Sequence, residues 1–380
     1  MTIEELRAQI DEADAQLLSA FARRMETASQ IADYKREHGL PVLDSARERQ
    51  KLADVANRAE TPVKPYVGAL YSLLFELSRL HQGEKLTPQS RLEQHVLQAV
   101  EQTERLFPPE ASVACQGMEG AFSQQACEKI FKLPNILYFK TFDAVFAAID
   151  KGLCRYGVLP VENSTAGSVN RIYDLMMQYD FSIVRSARLK VHHNLLAGLE
   201  TALGDIREVF SHPQALSQCA EYLAALPGVR VTPCENTAVA AQRVSQSGRN
   251  DAAALASMSC AELYGLQCLQ ADVQDSDSNY TRFICISKNL EIYPGADRTS
   301  LMMVLPHRPG SLYQVLSRIY ALGINLLKLE SRPLPGRDFE FMFYFDLETS
   351  VYSPEFARML REIEQMAQQF KYLGSYLELV

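Results

Sequence analysis

Several cations and amides in the first quarter of the chain are spaced so that they could act together on one small anion. Arg24 and Lys35 are eleven residues apart, which on a helix places them within about 20° of each other and about 16 Å apart along the axis. Both could reach one anion held between them. Arg7, seventeen residues before Arg24, points roughly 100° away and suits a site on a partner subunit. A following stretch, "DSARER", carries Asp44, Arg47, Glu48 and Arg49, and Ser78 and Gln82 form an i, i+4 pair facing one way. Any one charge here is explained by an exposed helix face; the arrangement is the signal. Four cations with carboxylate and amide groups directed into one helical bundle suit a small dianion bearing hydroxyl and ether oxygens.

A second set of groups lies further along. In "SDSNYTRFICIS" (276–287) a polar run leads into an apolar strand, and Thr281 and Arg282 are neighbours where it enters. Alternation along a regular strand puts them on opposite faces, which separates a hydroxyl that could act from a guanidinium with a structural role. Three polar stretches sit where strands hand over to helices: "GMEGAFSQQA" (117–126), "PVENSTAGSVN" (160–170) and "SHPQALSQC" (211–219). In open α/β sheets such loops bound the ligand cleft, and helix N-termini favour anions. Ser123, Ser164 and Ser211 are also good helix caps. The chain has no G-x-G-x-x-G followed by an acid, no Walker loop and no G-x-S-x-G elbow, which weakens dehydrogenase, phosphotransferase and hydrolase readings. Near the C-terminus, Gly310 at a helix start offers close backbone approach and free N–H groups to a carboxylate.

These groups need elements to hold them. At 380 residues two or three domains are expected. Residues 2–36 contain neither Gly nor Pro, open with the capping box Thr2-x-x-Glu5, and carry Leu6, Ile10, Leu17, Phe21, Met25 and Ile31 at helical spacing. One long helix is predicted there, with shorter ones over 45–59 and 67–82. Three such helices cannot enclose a core alone, so an intertwined helical dimer is expected. Residues 87–110 read as a linker with one amphipathic helix over 89–106. From 111 to 290 short apolar runs alternate with helices, the pattern of a parallel α/β sheet, and a long extended segment over 181–199 divides the region into two lobes with a cleft. Residues 298–380 read as a ferredoxin-like βαββαβ unit, which by itself implies no chemistry.

Composition removes other classes. A net charge of -8 argues against a general nucleic-acid binder. No apolar run reaches the ~20 residues of a membrane span, and the N-terminus is too acidic for a signal peptide, so a cytoplasmic protein is expected. All eight cysteines lie between Cys115 and Cys285 without a C-x-x-C pair, as for buried reduced thiols. His192, His193 and the other histidines form no H-E-x-x-H pattern, and neither metal nor cofactor is expected.

Residues 1–85 resemble the all-helical chorismate mutase family, from "LRAQIDEADAQLL" through "ARRMETASQIADYK" and "PVLDSARER" to "FELSRLHQ". The resemblance implies a pocket lined by Arg7 (from the partner), Arg24, Lys35, Asp44, Arg47, Glu48, Ser78 and Gln82. There chorismate would rearrange to prephenate by a pericyclic reaction, catalysed through conformer selection and donors at the breaking ether bond. The expected roles are Arg7, Arg24 and Arg47 at the carboxylates, Lys35 and Gln82 at the ether oxygen, and Asp44 and Glu48 near the ring hydroxyl.

Residues 112–287 resemble prephenate dehydratases through "GAFSQQA", "PVENS", "SHPQALSQC", "LYGL" (263–266) and above all "NYTRF"; "GAF" and "PVEN" are mild variants of the expected "GTFS" and "PIEN". The resemblance implies a two-lobed, periplasmic-binding-protein-like α/β domain. Thr281 would be the donor to the leaving hydroxyl, by proton transfer or by hydrogen bonding alone, with Ser123, Glu162, Asn163, Ser164, Ser211 and Gln218 lining the cleft. The tail resembles an ACT domain through "GSL" and "ESRP". This implies phenylalanine binding at Gly310, Ser311, Leu312, Glu330, Ser331, Arg332 and Pro333, with feedback inhibition.

Together these resemblances imply domains at 1–86, 111–290 and 298–380 in a bifunctional enzyme of phenylalanine biosynthesis, a homodimer or higher homo-oligomer. Two other readings compete. One is a non-catalytic metabolite sensor, which needs anion anchors but no hydroxyl donor; the other is an arogenate dehydratase, differing only in whether an amino acid replaces the keto acid.

Overall fold

The capping box acts as the sequence expects. Thr2 Oγ1 accepts from Glu5 N at 3.2 Å while Thr2 N donates to Glu5 Oε2 at 2.8 Å, and α1 (Ile3–His38) runs unbroken until Gly39, at φ 63, turns the chain. Helix α2 (Ser45–Arg58) starts on Asp44, whose Oδ1 accepts from Arg47 N at 2.9 Å. Helix α3 (Lys64–Leu86) packs against both. The computed structural model describes residues 1–380 except 42–43, 87–89, 335 and 337–339. Within the chain α1 buries only Ala28 and Ala32, and Ile10, Leu17 and Leu18 are 61%, 60% and 69% exposed. These three helices therefore do not enclose a core in one chain, as the apolar pattern foretold.

Residues 1–94 and 95–380 form two compact units. Helix α4 (Arg91–Gln102) lies where they meet in sequence; the start of the expected linker, 87–89, is outside the described residues. The second unit continues as β1 (Glu110–Gln116), α5 (Phe122–Ile130), β2 (Leu133–Phe139), α6 (Phe142–Asp150), β3 (Tyr156–Asn163), β4 (Gly167–Ser168), α7 (Asn170–Gln178) and β5 (Ser182–Lys190). A second lobe follows with β6 (Asn194–Ala197), β7 (Glu208–Ser211), α8 (Pro213–Gln218), α9 (Ala220–Ala224), β8 (Arg230–Pro233), α10 (Thr237–Ser247), β9 (Ala252–Ala256), α11 (Met258–Tyr264) and β10 (Gln267–Gln270). The chain then returns to the first lobe as β11 (Tyr280–Ser287).

The extended segment expected over 181–199 is thus two strands in two sheets, β5 and β6, joined by residues 191–193; a second crossing, 271–279, leads back. Neither sheet is wholly parallel. The return crossing makes β11 antiparallel to both β3 and β5, and β6 runs antiparallel to β9.

The tail is β12 (Arg298–Val304), α12 (Ser311–Ala321), β13 (Asn325–Pro333), β14 (Phe341–Glu348), α13 (Pro354–Met366) and β15 (Gln369–Leu379), in the expected βαββαβ order, with antiparallel strand order β13-β14-β12-β15. What local patterning could not show is that β15 also pairs in parallel with β5, joining the tail to the first lobe in one ten-stranded sheet. Tyr376, Tyr344 and Met302 of the tail share a core with Ile172, Tyr173 and Ile284 of the lobe. Gly374, at φ 138, lies against the backbone of Ile183, where a Cβ would collide with the carbonyl oxygen. All eight cysteines are free thiols. Among the described residues no helix is long and apolar enough to cross a membrane, and no three His, Cys, Asp or Glu side chains cluster to hold a metal.

Candidate functional site

In the helical unit, seven of the eight expected side chains, Arg24, Lys35, Asp44, Arg47, Glu48, Ser78 and Gln82, line one open cavity of about 630 Å³. The eleven-residue spacing on α1 places Arg24 and Lys35 on one wall, and α2 and α3 supply the others. Arg24 Nη1 donates to Leu74 O at 2.9 Å and bonds to Ser78, whose own hydroxyl donates to Leu74 O at 2.8 Å. Burial pulls the Arg24 pKa below its usual value, partly opposed by nearby Tyr71. Lys35 Nζ donates to Gln82 Oε1 at 3.3 Å, so the two expected ether-oxygen groups meet. Asp44 is also the cap of α2.

Arg7 does not line this cavity in its own chain. Among the described residues three further cations do, Arg23, Lys51 and Arg79, and Arg79 is ion-paired with Glu48. Arg79 lies three residues before Gln82, on the same helix face, so the spacing held a signal that the sequence reading passed over.

In the second unit, Thr281 and Asn163 are cross-strand partners on β11 and β3, and Asn163 Nδ2 donates to Thr281 Oγ1 at 2.9 Å. Arg282 is likewise opposite Glu162. The alternation that sends Thr281 and Arg282 to opposite faces therefore divides Asn163 from Glu162. Expected in the cleft, Glu162 instead faces the tail, ion-paired with Lys328 and with Arg282 Nη1 at 3.3 Å. Arg282 is buried among Glu162, Asp346, Tyr376 and Glu378, the structural role foreseen for it.

Two serines also differ from expectation. Ser211 is fully buried at the end of β7 and donates to Leu255 O at 2.7 Å, so its hydroxyl ties two strands together; the cap of α8 is His212. Ser164 donates to Ser278 O at 2.6 Å and accepts from Tyr280 N at 2.9 Å, bracing the loop before Thr281. Ser123 is buried in the first turn of α5 and does not cap it, that position being Ala121.

Of the expected groups, Gln218 lines a hollow of about 350 Å³ directly, together with Thr165, Gln274, Asp275 and Asn279. Thr281 adjoins it through Asn163, which also donates to Asn279 Oδ1 at 2.8 Å. Gln218 Oε1 accepts from Asn279 Nδ2 at 3.0 Å and meets His193 Nε2 at 3.0 Å. Asn279 lies within the 276–287 stretch and His193 in a histidine pair, but only the two lobe crossings bring them to Gln218.

At the tail, Gly310 has φ 86 at the N-cap of α12, and the buried Ser311 hydroxyl has no hydrogen-bond partner among the described residues; Leu312 is half-buried. The other expected effector group divides by strand alternation. Ser331 and Pro333 are exposed, whereas Glu330 accepts from Ser168 Oγ at 2.5 Å and Arg332 binds both oxygens of Asp174 at 3.1 and 3.3 Å. Glu330 and Arg332, expected at the effector, hold the tail to the first lobe here.

Residues 6–83 match the family model for chorismate mutase type II and residues 113–291 that for prephenate dehydratase. The chain is 30% identical over 380 residues to the bifunctional chorismate mutase/prephenate dehydratase of Escherichia coli (strain K12), spanning 98% of this chain and 95% of that protein. It is 36% identical over 313 residues to arogenate dehydratase/prephenate dehydratase 2, chloroplastic, of Arabidopsis thaliana, spanning 79% and 80%. The crystal structure of a prephenate dehydratase from Arthrobacter aurescens in complex with L-Phe is 25% identical, with a TM-score of 0.65 over 70% of this chain and 90% of that one.

Proposed function

This chain belongs to the bifunctional chorismate mutase/prephenate dehydratase family, enzymes of phenylalanine biosynthesis, and from that premise we propose which groups carry its two reactions and its regulation. The working parts are a mutase domain at 1–86, a dehydratase domain at 111–290 and an ACT-type regulatory domain at 298–380. In the mutase cavity Arg24 and Arg47, with Arg7 of the partner subunit, anchor the two carboxylates of chorismate. Lys35 and Gln82, in contact at 3.3 Å, donate to the ether oxygen as its bond to carbon breaks. Asp44 and Glu48 face the ring hydroxyl, Glu48 oriented by Arg79. The exposed apolar length of α1 supports a dimer that completes this site, and eight free thiols favour a reducing cytoplasmic setting.

In the dehydratase cleft, prephenate loses its ring hydroxyl as water and its ring carboxylate as carbon dioxide. The electron pair of the broken C–C bond enters the ring as the C–O bond breaks, so one proton must reach the departing oxygen. Thr281 donates to that oxygen. The observation that carries this is the 2.9 Å bond from Asn163 Nδ2 to Thr281 Oγ1: with a lone pair of Oγ1 occupied by Asn163, the threonine's own proton is left for the substrate. The same N–H stabilises charge on Oγ1 as that proton shifts. Thr281→Ala should lower dehydratase kcat by about 10²–10⁴-fold with mutase turnover intact; near-normal dehydratase turnover would remove Thr281 from this role. Lys35→Ala should do the reverse.

Phenylalanine binding at Gly310, Ser311 and Leu312 is supported by the unpartnered Ser311 hydroxyl and the Arthrobacter relative's L-Phe complex. Dehydratase activity unchanged at saturating phenylalanine would end the regulatory reading. The name of the Arabidopsis relative includes arogenate. Parallel assays with prephenate and arogenate, following phenylpyruvate and phenylalanine, decide between those substrates; turnover of either excludes a pure sensor.

A further inference from the structure

The hydrogen bonds around Thr281 have a direction, fixed by backbone. Thr165 N at 3.1 Å and Ala166 N at 2.9 Å both point at Asn163 Oδ1, and backbone N–H groups can only donate. That atom is therefore oxygen, and the amide nitrogen of Asn163 faces Thr281. The Gln218 atom 3.3 Å from Asn163 Oδ1, and 2.6 Å from the Thr165 hydroxyl that itself donates to Oδ1, must then be nitrogen. Gln218 consequently presents oxygen on its other side, to Asn279 Nδ2 and His193 Nε2, so His193 carries its proton on Nε2.

His193 lies in the crossing between the lobes, 2% exposed, with the ring of Phe122 edge-on at 5.9 Å. Its Nδ1 is buried without a hydrogen-bond partner among the described residues, so a second ring proton would have nowhere to go. Burial lowers its pKa, the bond to Gln218 opposes this, and His192 adds to the lowering.

We propose that His193 is a positioning residue of the dehydratase step: its Nε2–H holds Gln218 in the one amide orientation that delivers a donor to Asn163 Oδ1, reinforcing the backbone donors that keep the Asn163 N–H on Thr281. A Gln218 turned the other way would set oxygen against oxygen at Asn163. This inference rests on Thr281 being the donor. It adds the far end of the chain, supplied by the lobe crossing, and gives a buried histidine outside the reacting centre a defined tautomer.

The test uses the full-length enzyme, with mutase turnover as the internal control of folding. His193→Leu removes the donor, and His193→Gln returns an N–H near the same place. Dehydratase kcat should fall about 10-fold in His193→Leu, the loss of one buried hydrogen bond, and recover to within about threefold in His193→Gln. Because His193 acts through Gln218, His193→Leu/Gln218→Ala should be no slower than Gln218→Ala. Wild-type kcat in His193→Leu, no recovery in His193→Gln, or losses that multiply in the double variant would each overturn the proposal. If His193→Leu does not fold, the ring ¹⁵N shifts of the wild-type enzyme decide: a protonated Nε2 and bare Nδ1 support it, and the opposite tautomer overturns it. Thr281→Ala run alongside separates the two readings, since normal turnover there removes the premise while an inactive Thr281→Ala with a normal His193→Leu removes only this inference.

Discussion

Arg282→Met would remove a guanidinium that is 6% exposed and surrounded by acceptors. Its Nη1 bonds to Asp346 and lies 3.3 Å from Glu162, its Nη2 donates to Tyr376 Oη at 2.9 Å, and its Nε is 3.1 Å from Glu378, an ion pair without hydrogen-bond alignment. Burial alone would lower the Arg282 pKa, but the field of Tyr376 and Asp346 raises it well above the usual value, so the side chain stays charged. When it is removed, Glu162 keeps Lys328, and Glu378 keeps Arg298 at 2.9 Å and Arg188 at 3.1 Å. Among the described residues Asp346, 0% exposed, keeps only hydroxyl donors, Ser300, Tyr344 and, at 3.4 Å, Tyr376. Its carboxylate is the charge left uncompensated, and breaking a buried pair from one side costs about 3–5 kcal/mol. The chain has no tryptophan, so unfolding in urea is followed by far-ultraviolet circular dichroism, with loss of dehydratase activity marking the transition of the second unit. The transition should move by that amount in Arg282→Met. It should recover by at least about half in Arg282→Met/Asp346→Asn, where the stranded charge is gone. A loss below about 1 kcal/mol, or a double variant no more stable than the single one, would refute the reasoning.

Three further outcomes are expected. Gly374→Ala should destabilise the junction of β15 and β5 by at least about 2 kcal/mol, because the added Cβ meets the Ile183 carbonyl and φ is 138; an unchanged thermal midpoint would contradict that packing. Glu208 accepts from Thr232 at 2.7 Å, Arg249 at 2.6 Å and Arg230 at 2.7 Å, which together hold its pKa at about 2, against 4.5 ordinarily. The unfolded chain therefore binds the extra proton, so this stabilisation is complete above pH 4.5 and is lost as the pH falls towards about 2. The stability gap between wild type and Glu208→Gln should close over that interval, and a gap independent of pH would be inconsistent with the assigned bonds. Finally, inactive Arg7→Ala and Arg24→Ala subunits mixed and reassembled should regain about a quarter of wild-type mutase activity, since half the dimers are hybrids with one intact site. No regain would place Arg7 outside the partner's site.

What was legible in the residues alone was what local geometry governs. The Thr2 capping box and Gly39 bound α1, the eleven-residue step puts Arg24 and Lys35 on one stripe, and the two-residue period of a strand separates Thr281 from Arg282. Each depends on neighbours within a turn or two of chain. Glu162 was misplaced because its face is set by the register of β3 on β11, a pairing between residues more than a hundred apart. Ser211 was misplaced because a hydroxyl at a strand end serves whichever carbonyl the fold sets beside it, here Leu255.

The residues by themselves determined the family, the cavity shared by seven of the expected side chains in the helical unit, and the opposite facing of Thr281 and Arg282 on β11, since those signals are carried by residue type and short spacing. Only the tertiary structure decided that the tail shares a sheet with the first lobe, that Glu330 and Arg332 bind that lobe, and that His193 and Asn279 stand at the end of the chain leading to Thr281. The physical reason is that strand pairing and lobe crossing join segments far apart in sequence, through contacts whose partners no local pattern names.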